Sequence, residues 1–145
     1  MTNFIYQFNI DTRVCDELIK YHTNSNEYKV TGMVGTGEVD KGRKDSVDCP
    51  FWPGSKHPTI QSYYRELQFG LDNYLKQYRP LSACKLFTKE SSNIQYYPPG
   101  GGFKQWHFER QTELQHMGSR ALVFMTYLND VTDAGETEWY YQLSL

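Results

Sequence analysis

Residues 93–109 read Asn-Ile-Gln-Tyr-Tyr-Pro-Pro-Gly-Gly-Gly-Phe-Lys-Gln-Trp-His-Phe-Glu, and this stretch decides the fold prediction. It is typical of a strand, a Pro-Pro-Gly-Gly-Gly turn and a second extended segment. Alternate side chains of an extended segment share a face, so His107 and Glu109 are expected to point one way and Phe108 the other. One imidazole and one carboxylate are two of the three ligands of a facial two-histidine, one-carboxylate iron site.

Length and composition indicate one globular domain. The chain has 145 residues, of which 39% are hydrophobic and 22% charged, as in soluble proteins. The aromatic share of 16% favours β structure. A formal net charge of −2 gives no electrostatic reason to expect nucleic acid or an anionic membrane as a partner.

The expected location is the cytoplasm. No apolar run approaches the length of a membrane span, and the N-terminus lacks the basic and apolar regions of a secretion signal. The three cysteines, Cys15, Cys49 and Cys84, lie far apart without CxxC spacing. Structural thiols in a reducing compartment are therefore expected rather than a zinc site or a disulfide framework.

Hydrophobic residues at helical spacing predict two helices in the first part of the chain. Asp11 is a suitable N-cap for the first helix, which should end among residues 22–26. The second helix should run from Thr59, its predicted cap, to Tyr78, shortly before Pro80.

Other segments are predicted to be extended or irregular. Residues 4–10 alternate well enough for a short opening strand, and the glycine-rich residues 27–48 indicate a loop with one or two short strands. After Ser91 the hydrophobic period changes to about two, which predicts strands. These cover residues 94–97, 103–109, 120–128 (buried on both faces) and 136–142. Helices followed by antiparallel-type strands suggest an α+β or helix-supported β-barrel architecture.

Four motifs occur in a specific order: Tyr97-Pro-Pro-Gly-Gly-Gly102, His107-Phe-Glu109, Arg120-Ala-Leu-Val-Phe-Met-Thr-Tyr-Leu-Asn-Asp130 and Gly135-Glu-Thr-Glu138. This order resembles the Fe(II)/2-oxoglutarate-dependent oxygenases, and most closely the small prolyl 4-hydroxylase-like group. The resemblance implies a double-stranded β-helix, or jelly roll, with supporting N-terminal helices. Within a single domain of residues 1–145, residues 1–90 would form the helical support and residues 91–145 a partial jelly-roll core.

The resemblance also implies a chemistry. Fe(II) and 2-oxoglutarate would be the cofactors, with ascorbate as a possible reductant. The reaction would hydroxylate an unactivated C–H bond while 2-oxoglutarate is decarboxylated to succinate. A peptidyl proline or a small molecule would be the substrate, and no catalytic residue beyond the metal ligands is implied.

Four residues receive roles by this resemblance. His107 corresponds to the first histidine ligand of the metal, and Glu109 stands where the family normally has an aspartate ligand. Tyr97 matches a tyrosine before the glycine turn that commonly touches 2-oxoglutarate. Tyr127 lies on a strand that usually lines the same pocket.

Three of these roles have a plainer alternative. His107 would be a hydrogen-bonded strand histidine, Glu109 a salt-bridging surface carboxylate, and Tyr97 an ordinary strand aromatic. His116 follows in a polar loop and is a poor substitute for a ligand from a distant strand. The basic residues Lys104, Arg110 and Arg120 lie within reach of an anion, but their spacing singles out none of them.

The sequence departs from the family because it ends at Leu145, ahead of the strands that carry the second histidine ligand and the basic partner of 2-oxoglutarate. The last barrel strands are therefore expected to be absent and the site incomplete. A truncated enzyme, a partner chain that supplies strands, and a non-catalytic remnant all fit this pattern. Open strand edges invite association. The alternatives to an oxygenase are a β-domain that binds a partner or self-associates as a homo-oligomer, and a two-ligand iron site without oxygenase activity.

Overall fold

A computed structural model describes residues 4–35, 37–110 and 117–140, and it has a mixed α/β fold. Within these ranges there are two α-helices and five short strands, which form small antiparallel sheets. The chain forms two compact units. Unit 1 comprises Met1–Glu27 and Pro50–Ile94, and unit 2 comprises Tyr28–Cys49 and Gln95–Leu145.

Helix α1 spans Thr12–Asn24 in unit 1 and begins and ends as predicted. The Asp11 carboxylate accepts a hydrogen bond from the backbone N–H of Arg13 at 2.9 Å, which satisfies one of the unpaired donors of the first turn. Cys15, Leu18 and His22 are buried along one face. This face packs against the second helix.

Helix α2 spans Pro58–Gln77 and confirms the second predicted helix. The predicted cap was wrong, because His57 occupies the N-cap position and Thr59 is buried inside the helix. Pro58 suits the first turn, since its missing N–H has no helical acceptor there. The edges of the Tyr63 and Tyr64 rings face Phe51 with centroids 5.9 Å away in both cases.

The predicted opening strand over residues 4–10 is absent from the structure, which assigns no strand there. The aromatic side chains of residues 4–10 pack on the C-terminal half of α2 and on Tyr78, which follows the helix. The ring centroids of Phe4 and Tyr78 are 5.4 Å apart, and those of Tyr6 and Tyr74 are 6.5 Å apart. The alternating pattern is therefore satisfied by contact with a helix and not by pairing in a sheet.

Five strands follow the helices or lie between them: β1 (Val30–Thr31), β2 (Lys44–Asp45), β3 (Val47–Phe51), β4 (Ser92–Tyr96) and β5 (Gly102–Phe103). One sheet has the order β1-β3-β4, with Val30 opposite Asp48 in an antiparallel register. The other pairs β2 with β5, with Lys44 opposite Phe103. The predictions of a strand over 94–97 and of short strands within 27–48 are confirmed.

The remaining strand predictions were wrong where the structure describes them. The segment predicted as a strand over 103–109 retains strand structure only at Phe103, and residues 120–128 belong to neither helix nor strand. Of 136–142, Trp139 makes an isolated bridge, and residues 141 and 142 lie outside the described ranges. A strand forms only when a neighbouring edge completes its hydrogen bonds, which a local pattern does not report. The sheets are not closed into a barrel over the described residues.

The two units differ in what they bury. Unit 1 has an apolar core made of Cys15, Leu18, Phe51, Ile60, Tyr63, Leu67, Tyr78 and Ile94. Unit 2 buries Val34 and Cys49 together with polar side chains at Lys44, Ser46 and Asp48. Across the described ranges, no helix is both long enough and apolar enough to cross a bilayer.

Gly70 marks a close approach of α2 to residues 4–10. A Cβ atom at this position would overlap the Phe8 ring, with Cε2 only 2.7 Å away. We expect Gly70→Ala to destabilise the protein by about 1–3 kcal/mol through overpacking. In a Phe8→Ala background the same change should instead stabilise by up to about 1 kcal/mol, because alanine is the better helix former. Urea denaturation of the four variants tests this, and the same sign in both backgrounds would contradict the packing explanation.

Candidate metal centre

The centre of unit 2 is built on alternation in β2 and β3. Lys44, Ser46 and Asp48 share one face and are all nearly inaccessible to solvent. Lys44 Nζ donates to Asp48 Oδ2 at 2.6 Å, and Ser46 Oγ donates to Asp48 Oδ1 at 2.7 Å. Both carboxylate oxygens therefore have a partner, as a buried charge requires.

This buried cluster extends to the predicted cofactor tyrosine. Gln95 Nε2 donates to Asp48 Oδ2 at 3.3 Å, and the Tyr97 hydroxyl donates to Gln95 Oε1 at 3.1 Å. Burial, with a smaller contribution from the negative charge of Asp48, raises the pKa of Tyr97 to about 12. Tyr97 therefore remains a neutral hydrogen-bond donor at physiological pH.

The predicted turn connects Tyr97 to the metal-ligand candidates. The backbone N–H of Gly101 donates to the Pro98 carbonyl at 2.7 Å. A Cβ atom on Gly101 would lie 2.8 Å from the carbonyl oxygens of both Asp45 and Pro98, so this position requires glycine. Gly100 has a φ of +76°, which glycine adopts without strain. The turn thereby brings β5 alongside β2.

Phe103 on β5 lies between the buried cluster and His107. The Lys44 ammonium lies 5.7 Å from the centroid of the Phe103 ring, in cation–π geometry. The same ring stacks on the His107 imidazole, with the ring centroids 4.1 Å apart and the ring planes inclined by 15°. The position of His107 is thus coupled to the Lys44–Asp48 ion pair through one aromatic ring.

His107 and Glu109 lie together, as the alternation predicted, although their segment is not a strand. His107 Nε2 is 3.4 Å from Glu109 Oε1, while Phe108 is 75% exposed. His107 Nδ1 lies 2.9 Å from the Gln105 carbonyl oxygen. Because a carbonyl only accepts, Nδ1 carries the proton and Nε2 is the nitrogen directed at Glu109.

Arg120 holds the other side of Glu109. Its Nη1 donates to Glu109 Oε2 and to the Glu109 backbone carbonyl, both at 2.9 Å. His107 lowers the pKa of Glu109 below its ordinary value, with a smaller contribution from Arg120. In turn, the Glu109 carboxylate raises the pKa of His107, although burial and the Lys44 charge oppose this. Each of the two side chains therefore favours the charged form of the other.

This arrangement fits two adjacent ligands of a divalent metal ion. Two ligand atoms that each lie about 2.1 Å from a metal are about 3.0 Å apart at a right angle and about 3.4 Å apart at a tetrahedral angle. His107 has its second ring nitrogen on a backbone carbonyl, and Glu109 has its second oxygen on a guanidinium, which is how metal ligands are commonly oriented. No group of three or more His, Cys, Asp or Glu side chains suited to a metal is found among the residues that the structure describes.

The other predicted residues have different surroundings. The Tyr127 hydroxyl is hydrogen-bonded to the Thr137 hydroxyl, which also contacts Met125 Sδ at 3.6 Å. The structure thus places Tyr127 beside Thr137, and Tyr97 at the exposed edge of the buried cluster, with 37% of its surface accessible. It brings His107 and Glu109 into direct contact. Among the three basic residues considered for an anion, Arg120 is the one bound to Glu109. His116 lies outside the described residues.

Lys44 and Asp48 are the residues of this centre that the sequence interpretation missed. The mixed signs of charge over residues 41–48 favour a solvated loop when the sequence is taken alone. The available signal was the spacing of polar residues at 44, 46 and 48, which is the period of a strand with one polar face. Polar strand faces are seldom buried, so the composition of residues 41–48 favours exposure to solvent, whereas the structure buries Lys44, Ser46 and Asp48.

The buried ion pair yields a stability prediction. Asp48→Ala leaves the Lys44 ammonium buried without its carboxylate, and we expect a loss of about 3–5 kcal/mol in the free energy of unfolding. Asp45→Ala is the matched control, since Asp45 forms a more exposed pair with Lys41 at 3.6 Å. That change should cost about 0–1 kcal/mol. Equal losses for the two variants in urea denaturation would contradict the assigned role of Asp48.

The His107–Glu109 contact yields a pH prediction. In the metal-free protein, NMR titration should give His107 a pKa above its ordinary value of 6.5. Glu109→Gln should lower that pKa, while Glu90→Gln serves as a carboxylate control. Since folding raises the His107 pKa, its contribution to stability is complete below the unfolded pKa and is lost as pH rises through the folded value. A His107 pKa that does not respond to Glu109→Gln would contradict the contact.

No protein-family model matches the chain, and neither a curated protein nor a solved structure matches it. The oxygenase interpretation therefore stays a prediction based on the motifs of residues 93–138. The geometry of the His107–Glu109 pair is the structural observation that bears on it.

Proposed function

We propose that the chain is an Fe(II)/2-oxoglutarate-dependent oxygenase of the prolyl 4-hydroxylase-like type. The observation that carries this proposal is the contact between His107 Nε2 and Glu109 Oε1, which are 3.4 Å apart. Gln105 holds the other ring nitrogen of His107, and Arg120 holds the other carboxylate oxygen of Glu109. Neutral imidazole and carboxylate suit ferrous iron. The jelly-roll fold belongs to the same proposal and is supported by the order of the motifs in residues 93–138.

His107 and Glu109 would supply two protein ligands and leave other positions for 2-oxoglutarate and a further ligand. Bound iron and 2-oxoglutarate would supply the oxidising chemistry, in which O₂ delivers one oxygen atom to succinate and one to the hydroxylated product, with release of CO₂. The protein residues would orient the ligands. Gln105 accepts the Nδ1 proton of His107, which leaves Nε2 as the nitrogen that would bind the metal in place of a proton. Arg120 holds one oxygen of Glu109 so that the other would face the metal.

Tyr97 and Tyr127 are proposed to contact 2-oxoglutarate. The Tyr97 hydroxyl donates its proton to Gln95 Oε1, so a hydrogen bond from it to a carboxylate of 2-oxoglutarate would replace that contact. Tyr127 is exposed, and its hydroxyl already pairs with another hydroxyl, that of Thr137. The Tyr97 network with Gln95 and Asp48 gives this residue the stronger support of the two.

A peptidyl proline or an apolar small molecule is the proposed substrate class. Trp106 and Phe108 flank the metal-ligand candidates and are exposed, which offers flat apolar surface beside the pair. We place the protein in the cytoplasm, and the free thiols of Cys15, Cys49 and Cys84 support a reducing compartment. Ascorbate is the proposed reductant by resemblance to the family.

A second role, contact with another chain without catalysis, is favoured by a separate observation. Residues 120–130 carry an apolar run whose side chains are largely exposed, including Val123, Met125 and Tyr127. Such surface is typical of an interaction site. Tyr127 and Arg120 belong to both proposed roles, so a partner bound to residues 120–130 would lie next to the proposed metal centre.

The oxygenase proposal predicts a cofactor complex that forms without oxygen. Under anaerobic conditions, addition of Fe(II) and then 2-oxoglutarate should produce a visible charge-transfer band, because 2-oxoglutarate would chelate iron held by the protein. His107→Ala and Glu109→Ala should each abolish the band. Absorption spectroscopy with a parallel measurement of bound iron tests this prediction.

His57→Ala is the matched control, since His57 is an exposed histidine of unit 1. This variant should retain the band and the bound iron. Iron binding that is unchanged in His107→Ala would overturn the proposed centre. Iron binding without the band would favour a metal site that does not hold 2-oxoglutarate.

A further inference from the structure

The first turns of α1 and α2 border a surface cavity of about 500 Å³ in unit 1. From the start of α1 the lining includes Asp11, Arg13 and Glu17, and from the start of α2 it includes Thr59 and Ser62. Such a volume is within the range of small-molecule sites, about 300–1,000 Å³. The cavity therefore lies beside two helix N-termini, where backbone N–H groups have no acceptor within the helix.

The two helix N-termini differ in how they are capped. At α1 the Asp11 carboxylate accepts from the backbone N–H of Arg13 and so supplies a negative charge. At α2, within the described ranges, the N-cap residue His57 makes no side-chain hydrogen bond to the first turn. Its imidazole instead meets the Tyr21 ring edge to face, with centroids 4.8 Å apart. The first turn of α2 also has no acidic residue, so the partial positive charge of this end is not offset by its own side chains.

Thr59 is a nearly buried polar residue whose hydroxyl faces this cavity. It is the second residue of α2 and is 8% exposed. Among the residues that the structure describes, the Thr59 hydroxyl has no hydrogen-bond partner, and no polar side-chain atom is both fully buried and unpartnered. The hydroxyl therefore reaches the accessible surface, which at Thr59 is the cavity. It gains a hydrogen bond when an acceptor enters.

Two further donors accompany the Thr59 hydroxyl. The Thr59 backbone N–H belongs to the first turn, so the carbonyl that it would need lies before the helix begins. Ser62 lies three residues further along the same face of α2 and also lines the cavity. Its Oγ accepts from Arg65 Nη2 at 2.8 Å, which leaves the hydroxyl proton for another acceptor. Three donors of one helix end therefore border the cavity.

The carboxylates that line the cavity are paired with cations. Both oxygens of Asp11 accept from the Arg13 guanidinium, and Glu17 Oε1 lies 2.8 Å from Lys20 Nζ. These pairs reduce the repulsion that a bound anion would meet. Arg65 adds a positive charge on the α2 side. Donors at a helix N-terminus beside a cation favour an oxyanion over a neutral or cationic ligand.

We propose that this cavity binds the phosphate or carboxylate group of a small molecule through the Thr59 N–H, the Thr59 hydroxyl and the Ser62 hydroxyl. An oxyanion accepts from all three donors and lies at the positive end of a 20-residue helix. Val14 and Pro58 also line the cavity and offer apolar surface to the rest of the molecule. The cavity belongs to unit 1 and the candidate metal centre to unit 2, so this inference does not depend on the iron proposal.

Titration of the full chain with inorganic phosphate or with acetate at constant ionic strength, followed by ¹H–¹⁵N NMR, tests the proposal. At least one probe should shift the Thr59 amide resonance in a saturable manner, and the stronger probe identifies the oxyanion. Thr59→Val should weaken that binding by about five- to tenfold, because it removes one hydrogen bond and keeps the branched shape of the side chain. Thr59→Ser is the matched control and should retain binding, since it keeps the hydroxyl.

A second variant blocks the cavity without removing a donor. His57→Asp places a carboxylate at the N-cap of α2, where it accepts from the first-turn N–H groups in place of the ligand. Binding of the probe should be lost while the melting temperature rises, a combination that misfolding would not produce. No saturable shift of Thr59 with either probe would overturn the proposal. Binding that is unchanged in both Thr59→Val and His57→Asp would overturn it as well.

Discussion

The ion pair between Lys44 and Asp48 is the interaction on which unit 2 depends. Both residues are only 4% exposed, so each charge would carry a large desolvation cost without the other. Asp48 also accepts hydrogen bonds from Ser46 and Gln95, which ties neighbouring strands to one carboxylate. Lys44 lies over the Phe103 ring, and that ring stacks on His107. The position of the candidate metal centre therefore depends on the Lys44–Asp48 ion pair.

The two units are stabilised by different physical means. Unit 1 buries an apolar core between its two helices, the arrangement in which the hydrophobic effect is the main driving force. Unit 2 buries a polar cluster and leaves large apolar side chains exposed, Val123 and Met125 among them. A polar interior gains specific geometry at the expense of stability, which suits a site where a few donor atoms must be held in fixed positions.

The sequence predicted what depends on local spacing and missed what depends on distant neighbours. Both helices follow from local periodicity, and the Asp11 cap of α1 follows from its residue type. The strand expected around His107 and Glu109 does not form, although the two side chains are in contact. The run at residues 120–128 has the composition of a buried strand, yet its burial requires a partner edge that composition does not report. Lys44 and Asp48 were missed for a related reason, since only tertiary contact with Gln95 and Phe103 distinguishes a buried charge pair from a solvated loop.

The most direct test of the metal centre is a crystal structure grown with Mn(II), a redox-stable substitute for Fe(II), together with 2-oxoglutarate. Anomalous scattering locates manganese without reference to activity. The proposed function predicts an anomalous peak about 2.0–2.2 Å from both His107 Nε2 and Glu109 Oε1, with Arg120 still bound to Glu109. An intact His107–Glu109 contact at saturating manganese, with the metal elsewhere or absent, would contradict the assignment of these two residues as ligands.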